Sequence, residues 1–167
     1  MESVLVKEKN LSFIDPLVPL KTINYIIIHH TGGKGYNIIK THKFHQNERN
    51  WSGIGYNYFI EKNGDIFKGR GYSVGAHAYS YNRNSLGIAL AGNFDISHPS
   101  EKQLQSLRGF CNYLLKEFNL TPKHVLGHRE LREVTKSCPG KNFNLVQFRE
   151  TLKCTRNTLK YEKTFSE

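Results

Sequence analysis

Two histidines and a cysteine make the first chemical pattern in this sequence. A run of apolar β-formers, Tyr25-Ile26-Ile27-Ile28, leads into His29-His30 and then a Thr-Gly-Gly breaker. Val125-Leu126-Gly127 leads in the same way into His128, and Cys138 follows in a loop closed by Pro139-Gly140. One histidine of the first pair, His128 and Cys138 form a His₂Cys set, a zinc-type choice of ligands that leaves a fourth position for water. The cysteines Cys111, Cys138 and Cys154 are odd in number and widely spaced, which favours metal or core roles over a disulfide framework. Spacing alone does not decide the matter: no CxxC or HExxH is present, and a strand-end histidine is more often hydrogen-bonded structure than a ligand. Successive strand side chains face opposite ways, so only one of His29 and His30 enters any such site.

The elements that must position these groups follow from periodicity. The apolar run over 24–30 predicts a buried central strand whose carboxyl end presents the histidines. Asn37 caps a short helix over 38–48, with Ile38, His42 and His45 on one side. Tyr56–Glu61 alternates, putting Tyr56, Tyr58 and Ile60 on one face, and Asn63-Gly64 turns the chain into a return strand at Ile66-Phe67. Ser85–Ala91 predicts another strand; Gly87, Ala89 and Ala91 keep one of its faces small, so something packs closely there. Ser100-Glu-Lys-Gln103 is a capping box opening a helix through Leu104, Leu107, Cys111, Leu114 and Phe118, which makes Cys111 a core residue. A short strand over 125–128 and a last helix near 144–158 complete the pattern. Interspersed helices and hairpin-linked strands predict a single α/β domain with a central mixed β-sheet and helices packed on its faces. Residues 1–22 form an extended lead-in, 23–158 the domain, and 159–167 a polar basic tail.

At 167 residues, with 38% hydrophobic content, ten Phe, nine Tyr and one Trp, the chain is sufficient for one core. No apolar stretch reaches the ~18 residues of a membrane span. The opening MESVLVKEKN lacks the apolar core of a secretory signal, which predicts cytosolic synthesis and retention until release. Lys and Arg number 24 against 14 Asp and Glu, a formal charge of +10. Scattered along the chain, that charge reads either as a plain soluble basic surface or as favouring polyanionic partners: nucleic acid, an anionic membrane or an anionic cell-wall polymer. No dense basic helix or nucleic-acid motif supports specific nucleic-acid binding, and a monomer is expected.

Between residues 24 and 142 the chain resembles the zinc-dependent N-acetylmuramoyl-L-alanine amidases of the type-2 amidase and peptidoglycan recognition protein superfamily. The segments are IIIHHTGG (26–33), IGYNYFIEKNGDIFKGRG (54–71), VGAHAYSYNRNSLGIALAGNF (74–94), LGHRE (126–130) and TKSCPG (135–140), in the family's order. Phage lysins and bacterial autolysins of this kind are most similar; the animal recognition proteins typically carry a disulfide just after the HHT segment, where this chain has no cysteine. The resemblance implies His29, His128 and Cys138 as zinc ligands, with His30 a structural neighbour under the glycine loop. It implies Tyr56 and Lys136 as catalytic groups. Nine residues separate His128 from Cys138, two more than is usual in the family, so the loop over 131–135 is expected to bulge.

The implied activity is hydrolysis of the amide between N-acetylmuramic acid and L-alanine in peptidoglycan, by a lytic enzyme that reaches the wall when the membrane is breached. Zinc would activate water and polarise the carbonyl, Lys136 would face the developing oxyanion, and Tyr56 would hydrogen-bond the water or the intermediate. His45, Trp51, His77, Asn82 and Asn84 are expected as walls of a groove for glycan and stem peptide. A non-catalytic peptidoglycan binder of the same fold is the alternative, disfavoured because all three ligands and Tyr56 are present.

Overall fold

The computed structural model describes residues 3–33 and 36–153. Six strands form one sheet in the order β1-β4-β3-β5-β2-β6. They are β1 (Val6–Lys7), β2 (Tyr25–His30), β3 (Tyr58–Ile60), β4 (Ile66–Lys68), β5 (Ser85–Leu90) and β6 (Val125–Gly127). The β3/β4 hairpin is antiparallel and every other pairing is parallel. The helices are α1 (Ile38–Asn47), α2 (Glu101–Glu117) and α3 (Leu145–Glu150). This is the expected single mixed-sheet α/β domain with helices on both faces. Among the described residues, no helix is long and apolar enough to cross a membrane.

Alternation along β2 and β5 divides the interior. Ile26, Ile28, Leu86, Ile88 and Leu90 face α2, where Leu107, Phe110, Cys111, Leu114 and Leu115 close the larger core. Cys111 is fully buried there as a small apolar residue. Ala89 and Ala91 face the other way, toward Phe59, Phe67 and Ile38 of α1. The Ser100 capping box forms with both of its hydrogen bonds, and the Asn37 side chain caps α1. Each cap stabilises its helix by roughly 1 kcal/mol.

Within the extended lead-in over 1–22, Val6 and Lys7 pair with Ile66 and Phe67 as an edge strand. Downstream, Val18 and Leu20 exchange backbone hydrogen bonds with Val74 and Tyr72. Two paired residues are too few to show a period in sequence. The strand expected to start at Tyr56 starts at Tyr58, and Tyr56 packs in the α1-side cluster while Tyr58 packs in the α2-side one. Asn57 breaks the alternation: its amide donates to the Gly71 and Ser73 carbonyls and accepts from the Gly87 N–H, so its side chain does part of a strand's hydrogen bonding. Finally, α3 is one and a half turns long, and residues 154–158 of the expected helix, with the 159–167 tail, lie outside the described residues.

Candidate active site

The carboxyl edge of the parallel strands carries the site, as in other open α/β sheets. Ile28 of β2 is in register with Gly127 of β6, so His29 and His128 leave neighbouring strands at the same level. Their rings lie 4.6 Å apart between centroids. Cys138 reaches the same point from its loop, with Sγ 3.6 Å from His29 Nδ1. One ligand atom from each of the three lies within 4.8 Å of the others. Two neutral imidazole nitrogens and a sulfur converging on one point fit a zinc ion, at ~2.0–2.1 Å to nitrogen and ~2.3 Å to sulfur.

His29 and His30 part as alternation requires. His29 faces the α1 side, and His30 turns to the other, where its Nδ1 accepts the Phe94 N–H at 3.0 Å. Burial, followed by the neighbouring His77 and His128, holds the His29 pKa well below the usual histidine value. Burial and then Lys136 lower that of His128. Both rings are therefore held neutral, the form that ligates. Burial pushes the Cys138 thiol up to about 11, against the pull of the His30 backbone hydrogen bond, Lys136 and Arg129; a divalent cation bound there would reverse that balance and favour the thiolate.

The loop that carries His128 is held at both ends. The Arg129 N–H donates to the Cys138 carbonyl at 2.7 Å, and its guanidinium donates to the Gly140 and Phe143 carbonyls. Glu130 accepts the Gly127 N–H and a two-pronged contact from Arg149 at 2.6 and 2.8 Å. Burial alone would raise the Glu130 pKa, but Arg149 and the Gly127 N–H outweigh it and hold it below the usual carboxylate range. The stability this gives is complete above the unfolded pKa of ~4.3 and is lost as pH falls through the lower folded value. Glu130→Gln is expected to cost about 1 kcal/mol at neutral pH, the modest size reflecting partial exposure. Urea unfolding should show the gap to the unaltered protein closing in acid. The longer loop after His128 does not hang free, because Leu131 and Val134 pack against Ile27 and Ala78.

Tyr56 packs its ring 5.3 Å from His29 and 5.5 Å from His45. Burial, then the nearby Cys138, raises its pKa, so the hydroxyl stays protonated. Lys136 is exposed two residues before Cys138, and its charge acts on both His128 and Cys138. The other expected groove residues divide. His45 is buried, its pKa lowered to about 4 by burial and then Arg49, and its Nδ1 accepts the Gly55 N–H. Half-buried Trp51 stands 4.7 Å from the His45 ring. Tyr56 and His45 line a cleft of ≈ 240 Å³ with Thr31, Tyr36 and Arg49.

His77 is buried beneath His29, its Nδ1 2.9 Å from His29 Nε2. Asn82 is occupied in holding that loop, its Oδ1 accepting the His77 and Ala78 N–H groups. The Asn84 carbonyl accepts the Asn24 and Tyr25 N–H groups at the start of β2. Both asparagines build turns, as Tyr-Asn-Arg-Asn-Ser in sequence allows. Sequence reasoning missed Ser85, which is fully buried and bonded to His77, and it missed the Glu130–Arg149 pair. The signal for what lies against His77 was the small face of β5, for a Cβ on Gly87 would stand 2.4 Å from the His77 ring.

The family description N-acetylmuramoyl-L-alanine amidase (Amidase_2) matches residues 19–141. The chain belongs to this family. Among amidase-family relatives, peptidoglycan-recognition protein SC2 of Drosophila melanogaster is 29% identical over 130 residues, 72% of this chain and 70% of that protein. The N-acetylmuramoyl-L-alanine amidase of Mus musculus is 38% identical over 109 residues; the match takes in 63% of this chain and 20% of the mouse protein. Among solved structures, N-acetylmuramoyl-L-alanine amidase LysC from Clostridium intestinale superposes with a TM-score of 0.82 at 32% identity, over 90% of this chain and 100% of that one. Wild-type Drosophila PGRP-LB superposes at 0.72 with 26% identity, over 92% and 100%. The amidase fold is thus shared by named amidases and named recognition proteins.

Proposed function

We propose that this amidase-family chain is a zinc-dependent enzyme that hydrolyses the amide between the lactyl group of N-acetylmuramic acid and L-alanine in peptidoglycan. The observation that carries this reading is the convergence of His29, His128 and Cys138 within 4.8 Å, with Tyr56 packed on His29. Zinc held by these three residues supplies a Lewis acid and a water whose pKa falls toward ~7. The rest of the chemistry belongs to side chains of the chain. Lys136 places positive charge beside the ligand cluster, where the amide oxygen becomes negative. Tyr56, kept protonated, donates a hydrogen bond at the same point. His45 and Tyr56 give one side of the cleft flat faces for sugar or peptide, with Trp51 packed behind His45.

A lytic role, with the enzyme held in the cytosol until it reaches the wall, is part of this proposal. The +10 charge supports it by drawing the protein to anionic wall polymers or outer-membrane lipids. The decisive experiment is digestion of defined peptidoglycans, with product masses and newly exposed L-alanine amino termini measured beside metal content. Release is expected to stop on chelation and to return with zinc. Unchanged release without metal would sink the zinc mechanism. Binding with no release from any wall type would leave a recognition protein.

A further inference from the structure

Behind His29 runs a buried chain of hydrogen bonds that the reaction as described does not use. His29 Nε2 lies 2.9 Å from His77 Nδ1, His77 Nε2 lies 3.2 Å from Ser85 Oγ, and Ser85 Oγ lies 2.6 Å from the Tyr81 carbonyl. Proton bookkeeping along it has one solution when both rings are neutral. A carbonyl oxygen only accepts, so the single Ser85 hydroxyl proton goes to Tyr81. Ser85 Oγ must then accept, and His77 Nε2 carries the proton. His77 Nδ1 is left with a lone pair and accepts from His29 Nε2–H. The proton of His29 is thereby fixed on Nε2, and its Nδ1 lone pair faces Cys138.

We propose that Ser85 is a positioning residue: with the Tyr81 carbonyl as the fixed end, it sets the tautomer of His77 and through it that of His29, so that Nδ1 of His29 is the metal-binding atom. The surroundings hold the relay in place. Gly87 of β5 leaves room for the His77 ring, Asn82 accepts the His77 backbone N–H, and Ser85 is fully buried at the start of β5. A metal-bound histidine characteristically gives its other N–H to a carboxylate, carbonyl or water. Here a second histidine takes that place, and a histidine can accept only if its own proton is held elsewhere.

The direct test reads the rings in the metal-free protein. Long-range ¹⁵N–¹H correlation at neutral pH is expected to show both His29 and His77 protonated at Nε2. A proton on Nδ1 of either ring overturns the proposal, and no variant is needed to see it. In Ser85→Ala the His77 Nε2–H loses its hydroxyl acceptor, and mixed tautomers are expected at both rings. Zinc affinity should drop roughly tenfold or more, and Ser85→Thr, which keeps the hydroxyl, should recover most of it. A Ser85→Ala protein with unchanged ring spectra also overturns the proposal. The affinity comparison alone rests on the zinc reading above. If the unaltered protein failed to bind zinc, that reading would fail, while the ring spectra would still decide the tautomers.

Discussion

A His29→Ala protein is expected to lose zinc binding and to release no measurable L-alanine amino termini, while still folding. The expectation follows from what the ring touches. His29 is buried, stands between His77 and Cys138, and packs on Tyr56 and His128. Its removal leaves two ligands where the chemistry needs three protein donors and a water, and it leaves His77 without its partner. A loss of roughly 10³-fold or more is the scale for removing a group on which a catalytic constellation depends. The neighbouring His30→Ala protein separates chemistry from scaffold. Its ring accepts the Phe94 N–H, so its loss costs about 1–3 kcal/mol for a buried donor left unpaired, and zinc stoichiometry should be preserved. Metal content by mass spectrometry beside a thermal unfolding curve gives the comparison. The opposite pattern, with zinc lost from His30→Ala and kept by His29→Ala, would reverse the division of the two residues.

Tyr56→Phe carries the second large effect, and it isolates a single oxygen. The phenylalanine ring keeps the packing against His29 and His45, so fold and zinc content should be unchanged. What is lost is an O–H donor that burial keeps protonated beside the ligand cluster. A donor aimed at developing charge, or a group that assists proton transfer, contributes on the order of 10²–10³-fold to kcat. KM should move little, because the missing bond strengthens only as charge develops. Equal activity in the two proteins would reduce Tyr56 to an aromatic wall.

Much of the fold was legible where one physical signal acted alone. The apolar run into His29, the Asn63-Gly64 turn and the Ser100 capping box each specify local structure without help from distant residues, and each is present. Errors arose where a distant partner overrode a local pattern. Asn57 bonds to Gly71, Ser73 and Gly87, and so moves Tyr56 to the face opposite Tyr58. Val6 and Lys7 become a strand only because β4 offers an edge. The site was legible as residue types and, through the resemblance, as a ligand set; the β2/β6 register that brings His29 level with His128 is a long-range property that spacing does not contain. His77 shows the limit most clearly. Gly-Ala-His-Ala suggested a functional histidine, but a wall and a support beneath a ligand look alike in sequence. Only the distance to His29 and the space above Gly87 distinguish them.

The β2/β6 register has a further consequence, for how the protein is made. Residues 26–28 pair with 125–127, and Cys138 comes later still. The centre therefore does not exist in any local segment; closing it requires contacts between distant parts of the chain, the kind that slow folding and make it cooperative. A chain still on the ribosome cannot bring His29, His128 and Cys138 together until Cys138 has been added and the two strands have met. An ion bound there would bind only the native state, so on the zinc reading free zinc at a thousandfold excess over its Kd would add about 4 kcal/mol to stability by mass action. The same ion that would serve the chemistry would act as a clasp between the early and late halves of the polypeptide.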